Sequence, residues 1–376
     1  MMKIIIIGGS IGGLCAGIAL LDAGFDVEIY ERSAGDLKDR GAGLVIQPDM
    51  IDYFIEKHIS SEKLFGVPAK RRQVIDDNGE PSLVYPNDTT FTSWNYIWRQ
   101  LRDFFPSTKY FSDFELESIT IEQHPVVATF TNGETRTADL VIGADGFNSV
   151  VRKSIFPEVR PLYAGYVAIR GLIPESQLTP EEVAFFSDKF SIYPYKESHF
   201  LCYLVPGTNG ELSEGKRLYN WVWYLNKTVQ ELEILMTDKD GQRRESSVPA
   251  GYLSTASHEE LNLLAKAQLP KVLYDRVLQT DNPFVQVILD MSVPKMYKGQ
   301  IALLGDAAFL VRPHTASGTA KAYRDAITLA MSLQEFGSIE QALYYWNEHQ
   351  TRHATALIVH GMQLAERSEL GKNSSE

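Results

Sequence analysis

The sequence predicts a mixed α/β fold: a parallel-sheet domain interrupted by an antiparallel sheet and followed by a helical C-terminus. Three observations predict it. The chain opens with strand, glycine turn, helix and strand in "KIIIIGGSIGGLCAGIALLDAGFDVEIYER". A second strand, loop and helix stand in "ADLVIGADGFNSVVRKSIF". Residues 163–225 then carry long alternating runs rich in Tyr and Trp.

Ile4 to Ile7 are four consecutive isoleucines between Lys3 and a glycine cluster, the pattern of a strand buried on both faces of a parallel sheet. From Gly12 to Ala23 the apolar residues Leu14, Ile18 and Leu21 keep helical spacing, and Gly24 ends the run as a C-cap. "VEIYER" at 27–32 is the next strand. Its Glu31 lies 18 positions after Gly13, near the ~20-residue offset at which an acidic side chain meets a nucleotide ribose. Strand, glycine turn, helix, strand and terminal acid in this order point to a dinucleotide site. "GGSIGG" departs from GxGxxG by placing Ser10 where glycine lets the backbone approach a pyrophosphate. The serine adds a hydroxyl, and the helix N-terminus still offers free N–H groups to an anion. The alternative is an ordinary structural turn with Glu31 in solvent.

"PDMIDYFIEKH" follows as a helix, and "RRQVIDDNGEPSLVY" as a hairpin turning at "DNGE". Residues 93–105 read as a helix and 110–142 as short strands, with a second turn at "TNGETR". In 163–225, "YAGYVAIRGL", "FSIYPY", "HFLCYLVPG" and "LYNWVWYLN" read as an antiparallel sheet. Residues 228–280 are mostly helical. "GQIALLGDAAFLVRPHTASGTAKAYRDAITLAMSL" gives strand, turn, loop and long helix, and helices continue to about 368. The division is a discontinuous nucleotide-binding domain (1–70, 93–160, 281–368), a substrate-binding domain (71–92, 161–280) and a flexible tail (369–376).

At 376 residues the chain can bury a sizeable core, and its 44% hydrophobic and 22% charged residues are ordinary for a globular protein. A net charge of −12 argues against nucleic acid or an anionic membrane as partner. The two cysteines, Cys15 and Cys202, sit in apolar contexts outside any CxxC and read as buried free thiols, with no metal site. The first strand starts too early to leave room for a secretory leader, and no apolar run reaches ~18 residues. A cytoplasmic enzyme is the expectation.

Three motifs stand in fixed order: "GGSIGG" with Glu31, "GADGFNSVVR" at 143–152 and "GDAAFLVRPHTASG" at 305–318. Together they resemble the class A flavoprotein monooxygenases, the single-component FAD-dependent aromatic hydroxylases related to p-hydroxybenzoate hydroxylase. "VIQPDM", "YAGYVAIRG", "NPFVQVI" and "RPHTASGTAKA" resemble the branch that hydroxylates dihydroxypyridines. The resemblance implies a Rossmann-like FAD domain, with FAD held by Gly8, Ser10, Ile11, Gly13, Glu31, Arg32, Gln47, Asp145, Asp306, Pro313, Gly318 and Thr319. In it Asp306 holds the ribityl and pyrophosphate region, its alternative being a helix cap. N–H groups at Gly318 and Thr319 face the flavin. Asp145 and Arg152 match the "DG" motif; a surface position is the alternative for Arg152.

Four positions depart from the family pattern. Phe309 stands for a histidine, Thr315 for a glycine, Ala320 for an asparagine, and Trp98 for an FAD-contacting arginine that neighbouring Arg99 could replace only by rotation of its helix.

The resemblance further implies that NADH or NADPH reduces FAD, that O2 forms a flavin hydroperoxide, and that its distal oxygen passes to an electron-rich aromatic or heteroaromatic ring. No second GxGxxG follows a strand, so a separate nicotinamide domain is not expected. The catalytic candidates are His314, His199 and Tyr193, the histidines because an ordinary imidazole titrates near neutrality. Tyr203, Trp223 and Arg170 are the substrate-binding candidates, Arg170 for an anionic ring. Sheet packing is the competing role for each Tyr and Trp, and a structural ion pair for Arg170. A homodimer is a further expectation. A flavin dehydrogenase or reductase, and a catalytically silent flavin-binding regulator, stay open as alternatives.

Overall fold

The computed structural model describes residues 1–35, 37, 43–59, 65–121 and 124–372. Its first sheet runs Tyr297–Lys298, Ile301–Leu303, Leu140–Gly143, Lys3–Ile7, Asp26–Glu31, Tyr110–Ser112 in spatial order. All pairings except that of the outermost Tyr297–Lys298 strand are parallel. Lys3–Ile7 lies in the middle, and its four isoleucines are buried because helices and loops cover both faces. The helix Ile11–Asp22 packs against the long helix Gly318–Glu335 on one side of this sheet. Gly12 allows that approach, since a Cβ there would come within 3.3 Å of the Ala322 side chain, while Gly17 faces the other neighbour. A Cβ at Gly17 would come within 2.7 Å of the Phe105 ring.

The second sheet runs Ser247–Val248, Phe284–Ser292, Leu162–Pro174, Leu218–Asn226, Ser198–Val205, Lys189–Tyr195, Val67–Ile75, Pro81–Ser93, Gly43–Ile46, with Phe309–Leu310 paired to Phe284–Ser292. Every pairing is antiparallel except one. Lys189–Tyr195 lies parallel to Val67–Ile75, joining the early hairpin to the later strands. The sheet therefore draws on Gly43–Ile46, Val67–Lys70 and Phe284–Ser292, which the sequence reading places in the other domain. A small three-stranded sheet holds Leu116–Thr120, Val126–Phe130 and Thr135–Ala138.

The helix after "TTFTS" starts at Trp94 because Ser93 accepts a hydrogen bond from the Tyr96 N–H. Thr179 and Thr228 form capping boxes with Glu182 and Glu231. The C-terminal helix Ile339–Arg367 runs 29 residues. Beyond it Leu370 is buried and the Gly371 N–H donates to Asn226. The expected loose tail thus does not begin at 369, and residues 373–376 lie outside the described residues. No helix among the described residues is long and apolar enough to cross a membrane. Cys15 and Cys202 are free and buried, and burial pushes both thiols up to about 12.

Candidate active site

The two sheets meet across a cavity of about 1320 Å³, more than the ~300–1,000 Å³ of a site for one small molecule. At one end the Lys3–Ile7 strand passes into the glycine turn. Gly8 has φ +109°, and a Cβ there would fall 2.4 Å from the Ala144 carbonyl oxygen. A Cβ at Gly13 would fall 1.9 Å from the Gly8 oxygen. Gly13 does not line the cavity itself; it lets the helix close onto the turn. Ser10 precedes the helix without a side-chain capping bond. Ser10, Ile11 and Gly12 line the cavity with the helix's first N–H groups.

Glu31 holds this turn from the neighbouring strand. One carboxylate oxygen accepts from the Gly9 N–H at 2.8 Å and the other from the Ser33 N–H at 2.9 Å. Two further lone pairs stay available to a ribose. Trp98 stands behind the loop, its indole N–H donating to the Gly9 carbonyl at 2.9 Å, with the Tyr110 hydroxyl donating to the same oxygen at 3.2 Å. The departure at Trp98 thus braces the loop from inside the protein. Arg99 does not line the cavity.

The facing wall is the 305–319 segment. Asp306 is exposed and lines the cavity; the protein packed around the site raises its pKa by desolvation, against the pull of the Lys321 ammonium. Beneath it Lys321 and Asp325 form a buried ion pair of 2.6 Å, and Asp325 also accepts from the Gly305 N–H at 2.9 Å. Lys321 lies 5.2 Å from the centre of the Phe309 ring, so the phenylalanine at this departure faces a cation. Ser317, before the helix Gly318–Glu335, makes no side-chain cap bond, and Gly318 and Thr319, the first residues of that helix, line the cavity.

Asp145 also lines the cavity, yet its carboxylate accepts from Ser149 Oγ and from the N–H groups of Val150 and Val151. It caps the helix Val150–Ile155 and shapes the loop. Arg152 is fully buried rather than at the surface. Its guanidinium donates to the carbonyls of Phe147 and Ala307, tying the "DG" loop to the "GD" loop.

The floor is one face of the large sheet. Cross-strand register places Arg170, Val222, Leu201, Ile192 and Val74 in one rung, with Tyr224, His199 and Pro194 in another. All eight line the cavity. His314 reaches over from the late loop to within 4.4 Å of Tyr224 and 5.2 Å of His199, ring centre to ring centre. Burial lowers His199 to about 4 and His314 to about 3, the latter helped by the His199, Arg312 and Arg170 charges. Both imidazoles are neutral at physiological pH, so neither has the near-neutral basicity expected of a general base. Arg170 has no carboxylate partner among the described residues, and its Nε is buried without an acceptor. The structural ion pair considered for it is therefore not found among them.

Two candidates face the other way. Trp223 lies between Val222 and Tyr224 on its strand, so alternation turns it to the back of the sheet, where its indole donates to Tyr195 and Ser198. Tyr193 alternates in the same way with Ile192 and Pro194 and donates to Asp77 at 3.0 Å. Neither lines the cavity. Tyr203 does, but its hydroxyl donates to the Gly43 carbonyl and its ring stacks on Phe91 at 3.8 Å. Sequence reasoning missed Tyr224, Leu201 and Val222. Once His199 is placed on the floor, alternation yields Leu201, whereas the other two need the register between strands. Arg32, Gln47 and Pro313 line the cavity.

Two helix N-termini, a turn with no room for side chains and a carboxylate opposite them form a cradle that suits an extended dinucleotide. A family model described as FAD binding domain matches residues 1–164, and one described as FAD binding domain-like matches 163–290. The chain belongs to the FAD-dependent monooxygenases, oxidoreductases that hydroxylate aromatic and heteroaromatic rings with a reduced nicotinamide nucleotide and O2.

Within that family it is 34% identical over 371 residues to 2,6-dihydroxypyridine 3-monooxygenase of Paenarthrobacter nicotinovorans, covering 98% of this chain and 92% of that one. The solved structure of 2,6-dihydroxypyridine-3-hydroxylase from Arthrobacter nicotinovorans is similar with a TM-score of 0.92 at 33% identity, over 100% of this chain and 94% of that one. The 6-hydroxynicotinate 3-monooxygenase of Pseudomonas fluorescens is 25% identical over 363 residues, covering 91% and 85%.

Proposed function

We propose that the ring hydroxylated is a small hydroxylated N-heteroaromatic, 2,6-dihydroxypyridine in the first instance. The observation that carries the reading is the grouping of two neutral imidazoles, His199 and His314, with Tyr224 and the Arg170 guanidinium, which has no carboxylate partner among the described residues, on one wall. Val222 and Leu201 offer an apolar surface to the face of a flat ring. The polar groups suit oxygens at the ring's rim, and Arg170 favours a deprotonated one, whose charge raises electron density on the ring carbon to be attacked. FAD supplies the reductive and oxygen-activating chemistry. Gly8 to Gly12, Glu31, Asp306, Gly318 and Thr319 would hold it, and the sheet floor with the late loop would keep water from the reacting ring. The likeness to two pyridine-ring monooxygenases supports the same substrate class.

Anaerobic mixing of the yellow holoenzyme with NADH or NADPH, with and without 2,6-dihydroxypyridine, tests the proposal. Flavin bleaching accelerated by the ring compound, and one oxygen of ¹⁸O2 in the product, are expected. Turnover without label would make the protein a dehydrogenase. No bleaching with either nucleotide would make it a regulator.

A further inference from the structure

We infer that Tyr166 is a positioning residue that fixes His314 as a hydrogen-bond donor, its Nδ1–H presented to the cavity to receive an anionic ring oxygen. The oxygen's identity rests on the substrate proposed above; the donor assignment does not.

The Tyr166 hydroxyl lies 2.9 Å from His314 Nε2, across 148 residues of sequence, and the two rings stack at 5.6 Å. Tyr166 is fully buried and its hydroxyl has no other acceptor among the described residues. Burial keeps it a phenol, far above its ordinary range, with Arg312 pulling weakly the other way. The direction of the hydrogen bond follows. If the imidazole donated from Nε2, the phenolic hydrogen would be stranded in the interior, the costlier arrangement. If the phenol donates, its hydrogen is satisfied and the oxygen's lone pairs face the guanidinium of Arg312. That guanidinium lies 5.6 Å from the centre of the Tyr166 ring and is held by two bonds to Asp290.

Nε2 is then the acceptor nitrogen, and a neutral imidazole must carry its single proton on Nδ1. Nδ1 has no partner among the described residues, and His314 lines the cavity. The charged and titratable groups around this ring are Arg312 and Asp290 behind Tyr166, His199 and Tyr224 from the sheet, and Arg170 on the floor. Two cations stand near this ring, and its nearby carboxylate, Asp290, is engaged by Arg312, which favours an anion against Nδ1–H. Arg170 and His314 thus form a pair of donors for one ring oxygen, and Tyr166 sets which nitrogen His314 offers.

The test is ¹⁵N NMR of the FAD-loaded enzyme with labelled histidine at pH 7, His314 being assigned by the signals lost in His314→Gln. A protonated Nδ1 and an unprotonated Nε2 are expected in the native enzyme, and a mixture of tautomers in Tyr166→Phe. A protonated Nε2 in the native enzyme, or a ring unmoved by Tyr166→Phe, overturns the inference. The native spectrum alone decides the tautomer if the variant does not fold.

The ultraviolet spectrum of bound 2,6-dihydroxypyridine gives the second readout. Its apparent ionisation should be about tenfold less favoured in Tyr166→Phe, the effect of one donated bond. If that compound leaves the flavin spectrum unchanged while the tautomer is as expected, the substrate proposal falls and the donor assignment stands.

Discussion

Replacing Glu31 by Gln is the sharpest probe of the cofactor cradle. In the native structure both carboxylate oxygens accept backbone N–H groups, from Gly9 at 2.8 Å and from Ser33 at 2.9 Å, and the side chain is buried. Glutamine keeps one acceptor oxygen, so its NH2 must face the other N–H. One charge-assisted bond disappears, a loss of about 1.5–3 kcal/mol, which is about 10- to 150-fold in a binding constant. Because the Gly9 bond sets the turn proposed to receive the pyrophosphate, the loss should appear in FAD affinity. Titration of the apoprotein with FAD, followed by quenching of flavin fluorescence, measures it. The melting temperature of the apoprotein separates a general loss of fold from a loss of the site. FAD affinity within about threefold of native, a difference of less than 1 kcal/mol, would refute the reasoning that Glu31 shapes the loop.

Three more outcomes follow from the same geometry. His199 and His314 are held at about 4 and about 3 when folded, against ~6.5 when unfolded. The unfolded chain therefore binds more protons in this window, and stability falls as pH drops from 6.5 toward 3; melting curves across it should be shallower for His314→Gln. Trp223→Phe loses the bonds to Tyr195 and Ser198 at about 1–2 kcal/mol but leaves the substrate KM unchanged, while Tyr224→Ala, on the cavity face, raises KM. Lys321→Met leaves Asp325 charged and unpaired in the interior and should cost about 3–5 kcal/mol in urea unfolding.

The cofactor half was readable because its determinants are local. Strand, turn and helix are contiguous in "KIIIIGGSIGGL", and Glu31 follows within one βαβ unit. The substrate half was less so, for a reason visible in "LYNWVWYLN". Both faces of that strand are buried, so hydrophobicity does not say which side meets the cavity. Trp223, the larger aromatic, went to the back and Tyr224 to the front. The role of Tyr166 was invisible because its partner His314 lies in another segment of the chain. Trp98 looked like a lost flavin contact in sequence and is a brace for the Gly9 carbonyl in space.

The single parallel seam in the large sheet has a consequence for synthesis. Arg71 pairs with Lys189 and Val74 with Ile192, so the strand Val67–Ile75 waits more than a hundred residues for its neighbour. Until residue 195 has left the ribosome, the early hairpin offers an open edge, and next to it Leu83, Val84 and Tyr85 are exposed even in the finished protein. A nascent chain arrested before this point carries an unpaired strand edge beside apolar side chains, the feature that recruits chaperones or other chains. Arrest after it closes the seam and moves the open edge to the far side of Lys189–Tyr195, which Ser198–Val205 covers next, so truncations before 189 should expose the hairpin edge to proteolysis and truncations after 205 should protect it.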